Sequence, residues 1–178
     1  GNFQGLLELM SSGSARRDPS HYDESLEVMR QTASSTYSLL ENLLSWARAQ
    51  KGEIEFRPQS HNLRELVDEV VQLKSAAAEQ KEIRLNHNFQ TDIHGNVDYQ
   101  MVNLVMRNLV DNAIKFTPRG GEIKIHGEVT GQALQVAVED TGVGMAEEVR
   151  QKILHPYDHH SGRGTEDEKG SGLGLKLC

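Results

Sequence analysis

The chain has 178 residues, 25% of them charged and 37% hydrophobic, with a formal net charge of -7; this is the composition of a folded globular protein, not of a disordered one. Its basic residues are scattered and form no stripe, which argues against nucleic acid or an anionic membrane surface as the partner. The single cysteine, Cys178, allows no internal disulfide and fits a reducing, cytoplasmic compartment, and no apolar run approaches the roughly 20 residues that cross a bilayer, so any membrane anchor is expected outside this segment.

Phe3, Leu6, Leu7 and Met10 share a helical face with no capping residue ahead of them, which predicts the end of a helix that begins before Gly1. Ser11 to Ser20, rich in Ser and Gly and containing Asp18-Pro19, predicts a loop. Ser20 with Asp23 then resembles a capping box, and Tyr22, Leu26, Met29, Ala33, Thr36, Leu40, Leu43 and Ala47 recur in steps of four and three as a heptad seam. A single short partner helix cannot bury so long a seam. Residues 1–52 are therefore expected to form a helical hairpin that pairs with a second copy in a homodimeric four-helix bundle, rather than a long helix packed on its own domain. Trp46 and the cluster Leu39, Leu40, Leu43 and Leu44 read as bundle core.

Gly52 stops that helix, and Ile54, Phe56 and Pro58 predict an extended link into a second domain, residues 53–178. Ser60 or Asn62 can cap a helix whose apolar face is Leu63, Leu66, Val67, Val70, Leu73 and Ala77. Ile83, Leu85, His87 and Phe89 alternate as a strand, and a helix from about Asp98 to Lys115 ends at Thr117-Pro118. Ile123, Ile125 and Val129, then Leu134, Val136 and Val138, predict a hairpin turning at Gly131. A short helix spans Ala146 to Leu154, and Ser161 to Gly174 reads as a loop. Antiparallel strands with helices on one face predict an α/β sandwich, making the whole chain α+β.

Three segments carry candidate chemistry. Asn108, Asn112 and Lys115 fall at i, i+4 and i+7 on one helix face, opposite Val105, Leu109, Ala113 and Phe116. A carboxamide oxygen suits Mg²⁺ and an ammonium suits phosphate, although a solvated helix face explains the same letters equally well. Asp140, at a strand end before Gly142 and Gly144, can accept a hydrogen bond from an exocyclic amine such as that of adenine; a tight turn is the plainer reading of the two glycines. Gly170, Gly172 and Gly174 offer exposed amides before an apolar end, either to cradle phosphate or as a linker.

In this order the three segments resemble the N, G1 and G2 boxes of the histidine kinase ATP-binding domain, in the superfamily shared with gyrase and heat-shock chaperone ATPases. Tyr22 to Gln50 is similar to the second dimerisation helix of those kinases. The resemblance implies ATP and Mg²⁺ as cofactors, with Asn112 holding the metal, Asn108 and Lys115 acting at the phosphates and Asp140 binding the adenine amine. Gly142 and Gly144 would shape the adenine pocket, Gly170, Gly172 and Gly174 would line the phosphate side, and residues from about Leu154 to Lys169 would form a lid in which Arg163 is a candidate charge. It implies a sensor histidine kinase that passes phosphate to a histidine and on to an aspartate of a response regulator. The alternatives are a nucleotide-binding dimerisation module without phosphotransfer, or a hydrolytic ATPase of the same superfamily.

The residues depart from the family pattern in three ways. Its phosphate-accepting histidine motif is absent; that place would fall before Gly1, and His21 lacks the neighbouring acid. The chain ends directly after the G2-like segment, where the family continues, and Ile153 to Tyr157 replaces the usual lid phenylalanine pattern. His155, Asp158, His159 and His160 could hold a transition metal, but a lid loop without cysteine is the simpler reading.

Overall fold

The computed structural model describes residues 55–89, 91–131, 133–153, 162–166, 168 and 174–178, with residue 51 and helical positions scattered between 26 and 48. The chain divides into two compact units, Gly1–Gln50 and Lys51–Cys178. In the first, Thr32 and Thr36 return their hydroxyls to the carbonyls four residues back, at 2.7 and 2.8 Å, a bond that keeps such side chains compatible with a helix. Of the expected heptad seam, Leu26, Ala33, Thr36, Leu40 and Leu43 are exposed and Met29 and Ala47 half-buried. The expected first helix, the loop after it and Trp46 lie outside the described residues.

The second unit runs β1 (Gln59–Asn62), α1 (Leu63–Gln80), β2 (Arg84–His87), β3 (His94–Val97), α2 (Tyr99–Phe116), β4 (Glu122–Thr130), β5 (Ala133–Asp140), α3 (Glu147–Ile153) and α4 (Gly174–Leu177). Both long helices start where a side chain replaces the missing carbonyl. Asn62 accepts the amide of Arg64 at 3.2 Å, and Asp98 accepts that of Met101 at 3.1 Å. Leu63, Leu66, Val67 and Val70 of α1 are buried, as their spacing requires. Toward its end the buried residue is Ala78, whereas Leu73 and Ala77 are exposed.

The strands depart from the expected all-antiparallel pattern. β2 pairs with β4 in parallel, Leu85 opposite Ile123 and His87 opposite Ile125, because α2 lies between them in sequence and acts as the crossover. β4 and β5 form the expected hairpin, from Ile123 opposite Asp140 to Thr130 opposite Ala133. Its turn contains Gly131 at φ +64°, a conformation that few residues other than glycine adopt readily. β1 and β3 form a separate antiparallel pair that the alternation of side chains does not announce.

The core joins α1 and α2 to the sheet through Leu66, Val67, Val70, Met106, Val110, Ile123 and Ile125. The buried residues of α2 are Met106, Asn108, Val110, Ala113 and Ile114, so its packed face is rotated from the expected one; Val105, Leu109 and Phe116 are only half-buried. The helix meets α1, the sheet and α4, so its apolar contacts wrap more than one stripe.

Removing the side chain of Leu66, 1% exposed, empties the centre of this core. Leu66→Ala is expected to cost about 2–5 kcal/mol, read as a lower urea midpoint with an unchanged slope. Asp98 gives a second expectation. The amides of Arg57 and Met101 hold its carboxyl below the ordinary carboxylate range. A depressed folded-state pKa contributes stability above the unfolded-state value and loses it as pH falls through the folded one. Stability should therefore drop on acidification below the ordinary carboxylate range, and the drop should be shallower in Asp98→Asn, measured as urea midpoint against pH.

Candidate functional site

Three side chains on the carboxyl half of α2 differ in their access to water. Asn108 is buried, 8% exposed, while Asn112 and Lys115, one and two turns on, are half-buried. The Nδ2 group of Asn108 has no hydrogen-bond partner. Leaving an amide N–H unpaired in an interior costs about 1–3 kcal/mol, and a polar ligand is one way to supply the acceptor. α4 begins against the same side chain. A Cβ at Gly174 would stand 3.0 Å from the Oδ1 of Asn108.

Lys115 donates from Nζ to the carbonyl of Gly162 at 2.5 Å, and the same ammonium lies 4.6 Å from the centroid of the Phe116 ring. Burial lowers its pKa, and the charge of Glu168 opposes that shift.

Asp140 closes β5 and is exposed. Its Oδ1 accepts the amide of Gly142 at 2.8 Å, a local turn that leaves the rest of the carboxylate's acceptor capacity for another donor. Gly142 is required for room: a Cβ there would lie 2.4 Å from the Oδ1 of Asp140 and 2.7 Å from the carbonyl oxygen of Phe116. The amide of Val143 donates to that same carbonyl at 3.1 Å, and Gly144 follows at φ +67°. The loop over residues 140–144 is thus tied to the last turn of the helix that carries Asn108, Asn112 and Lys115.

The fold therefore gathers Asn108, Asn112, Lys115, Gly142 and Gly174 around the carboxyl half of α2, with Asp140 and Gly144 on the loop beside it. Gly170 and Gly172 lie outside the described residues, as do His155, Asp158, His159 and His160. Among the described residues no group of three or more His, Cys, Asp or Glu side chains could hold a metal ion. Arg163 is exposed on the segment that supplies the Gly162 carbonyl. Lys81, which lies outside every expected site segment, and Thr165 and Glu168, which fall within the expected lid, also converge on the end of α2. Lys81 stands among the charged residues Glu79, Glu82 and Arg84, where nothing in the sequence marks one charge as buried.

Residues 97–178 match the family described as histidine kinase-, DNA gyrase B-, and HSP90-like ATPase. The non-motile and phage-resistance protein of Caulobacter vibrioides is 31% identical over 144 residues, 79% of this chain and 17% of that protein. The solved catalytic domain of histidine kinase ThkA, nucleotide free, is 32% identical with a TM-score of 0.59, over 70% of this chain and 78% of that one. A crystal structure of ThkA with the response regulator protein TrrA shares the fold at 24% identity and a TM-score of 0.64, over 88% of this chain and 47% of that one. The chain spans only 8% to 30% of the length of the first three curated relatives it matches. With these likenesses beside a buried Asn108 and an Asp140 turn on one helix end, the chain belongs to the histidine kinase family, and residues 97–178 to its ATPase domain.

Proposed function

We propose that this chain is the dimerisation and ATP-binding core of a sensor histidine kinase: it binds Mg-ATP and supports transfer of the terminal phosphoryl group to a histidine and then to a response-regulator aspartate. The observation that carries the reading is the unpartnered, buried Nδ2 group of Asn108, whose side chain stands beside Gly174, on the helix whose end also holds the Asp140 loop. A nucleotide fits this set. The orphan Nδ2 group of Asn108 and the ammonium of Lys115 suit phosphate oxygens, and the carboxamide oxygen of Asn112 suits Mg²⁺. The open acceptor capacity of Asp140 suits the amine of adenine, where guanine presents a carbonyl.

Bound Mg²⁺ would neutralise charge on the phosphates of a loose transition state. The protein residues explain why transfer to water is not favoured. Asn108 is neutral and has no lone pair basic enough to take a proton from water, so the hydrolytic reading lacks its general base. Lys115 places a fixed positive charge in a partly desolvated setting, where it acts more strongly than in water.

The homodimer of this reading rests on the first unit. Leu40 is 61% exposed, Leu43 47% and Leu44 51%, and such clustered leucines on one helix are buried most simply by a second copy. Together with the likeness to ThkA in its complex with TrrA, this supports a dimeric kinase with a receiver-domain partner.

Binding of a fluorescent ATP analogue in Mg²⁺, competed by ATP and by GTP, tests the site. ATP should displace the probe and GTP should not. Asn112→Ala should lower Mg-dependent affinity about tenfold or more, and Asp140→Asn should narrow the preference for ATP over GTP; unchanged values in both variants would reject the assignment. Sedimentation of Leu43→Glu tests the dimer separately. The variant should run as a monomer with nucleotide binding intact, since an unpaired charge in an apolar seam costs several kcal/mol, about 3–5.

A further inference from the structure

Lys81 is 3% exposed, and its ammonium has three acceptors: the carbonyls of Ile114 at 2.9 Å and Lys115 at 3.1 Å, and Oε1 of Glu168 at 2.7 Å. The first two are carbonyls of the last turn of α2, where a helix leaves acceptors unpaired and favours a cation. The third belongs to a turn distant in sequence. That turn is held as a unit. The amide of Gly164 donates to the carbonyl of Glu168 at 2.9 Å, the amide of Glu166 to Oε2 of Glu168 at 2.7 Å, and the amide of Thr165 to the carbonyl of Lys115 at 3.0 Å. A Cβ at Gly164 would lie 2.6 Å from Cγ of Lys115, so the turn presses directly on the phosphate-site lysine. Burial pushes the carboxyl of Glu168 up, but hydrogen bonds from Lys81 and the neighbouring amides outweigh it and keep the group ionised.

We infer that the buried Lys81 and the partly exposed Glu168 form a clasp that fixes the turn carrying Gly162, Gly164, Thr165, Glu166 and Glu168 on the carboxyl end of α2 and so positions Lys115, and the turn itself, for the phosphates of the nucleotide. Lys81 is a positioning residue, since its three protons are committed within the protein. The clasp completes the order of this turn before a ligand arrives, so that the conformational entropy of ordering it does not oppose binding. It acts on one end of the site only. The loop over residues 140–144 is attached separately, through the carbonyl of Phe116, and does not involve Lys81. On binding, Lys115 exchanges the neutral carbonyl of Gly162 for a charged phosphate oxygen, the stronger acceptor.

The inference rests on the nucleotide reading above, and two measurements on the full chain keep the two apart. The first is amide hydrogen exchange without ligand. In Lys81→Met, and in Glu168→Gln, which replaces one carboxylate oxygen by an N–H group, the amides of Gly164, Thr165 and Glu166 should exchange about tenfold faster or more while those of Val110 and Ile123 keep their protection. The second is affinity for ATP and for adenosine: ATP should weaken about tenfold and adenosine should be unchanged. Unaltered exchange in the folded variants, or equal weakening of ATP and adenosine, would overturn the clasp. If Lys81→Met does not fold, Glu168→Gln decides, because its side chain is partly exposed and its loss leaves no cation without carbonyl partners. Failure of the unaltered chain to bind ATP would instead reject the nucleotide reading, with exchange alone still judging the clasp.

Discussion

The carboxyl end of α2 is the constraint on which the site depends. A helix ends with carbonyls that have no intrahelical donor, and here each of the last ones is used to fasten something else. The carbonyl of Ile114 accepts Lys81, that of Lys115 accepts both Lys81 and the amide of Thr165, that of Phe116 accepts the amide of Val143, and that of Thr117 accepts the hydroxyl of Thr165 at 3.1 Å. Two segments far apart in sequence are thereby brought to one point. The negative end of the helix dipole favours a cation there, and Lys81 supplies it from within the protein, while Lys115 donates to the carbonyl of Gly162 instead.

The opposite end of α2 is fixed as firmly, by a different device. Asp98 caps the helix and also receives the amide of Arg57 at 2.9 Å, so one carboxylate holds both the helix start and the chain that enters the unit. Between these ends, Met106, Val110 and Ala113 lock the helix to α1 and the sheet. Asn108 sits among them rather than on an open face, and its burial follows from the rotation of α2. A helix gripped at both ends and along its length can hold a polar group in the interior at a defined position, and binding sites need that kind of rigidity.

Much of this was legible in the residues. The two long helices and the β4–β5 hairpin follow from periodicity, turn chemistry and spacing, signals that act over neighbouring residues. What was not legible depends on contacts distant along the chain. The parallel pairing of β2 with β4 is set by the crossover; β1 and β3, with sequences such as His94-Gly-Asn-Val97, have weak strand character and are held by each other and by the bond from the amide of Leu63 to the carbonyl of Ile93 at 2.8 Å. The packed face of α2 differs from the expected one because Val105, Leu109 and Phe116 extend from Ala113 an apolar stripe as good as the one that is buried, Met106, Val110, Ala113 and Ile114. Lys81 reads as a surface charge, and only its three partners reveal a buried one.

The burial of Asn108 also bears on why an amide rather than an acid stands there. A carboxylate at an 8% exposed position would be pushed toward its neutral form by desolvation, and a carboxyl with a raised pKa is the group suited to take a proton from water near neutral pH. The same burial that would make an acid a good base leaves an amide inert, because its nitrogen lone pair is delocalised into the carbonyl. Asparagine keeps a hydrogen-bond donor in the interior at the cost of an unpaired NH2 group and brings no proton acceptor of useful basicity. On the kinase function proposed above, selectivity against water would then require no shield over the site; it would follow from the chemistry of one side chain in a place where its alternative would be activated.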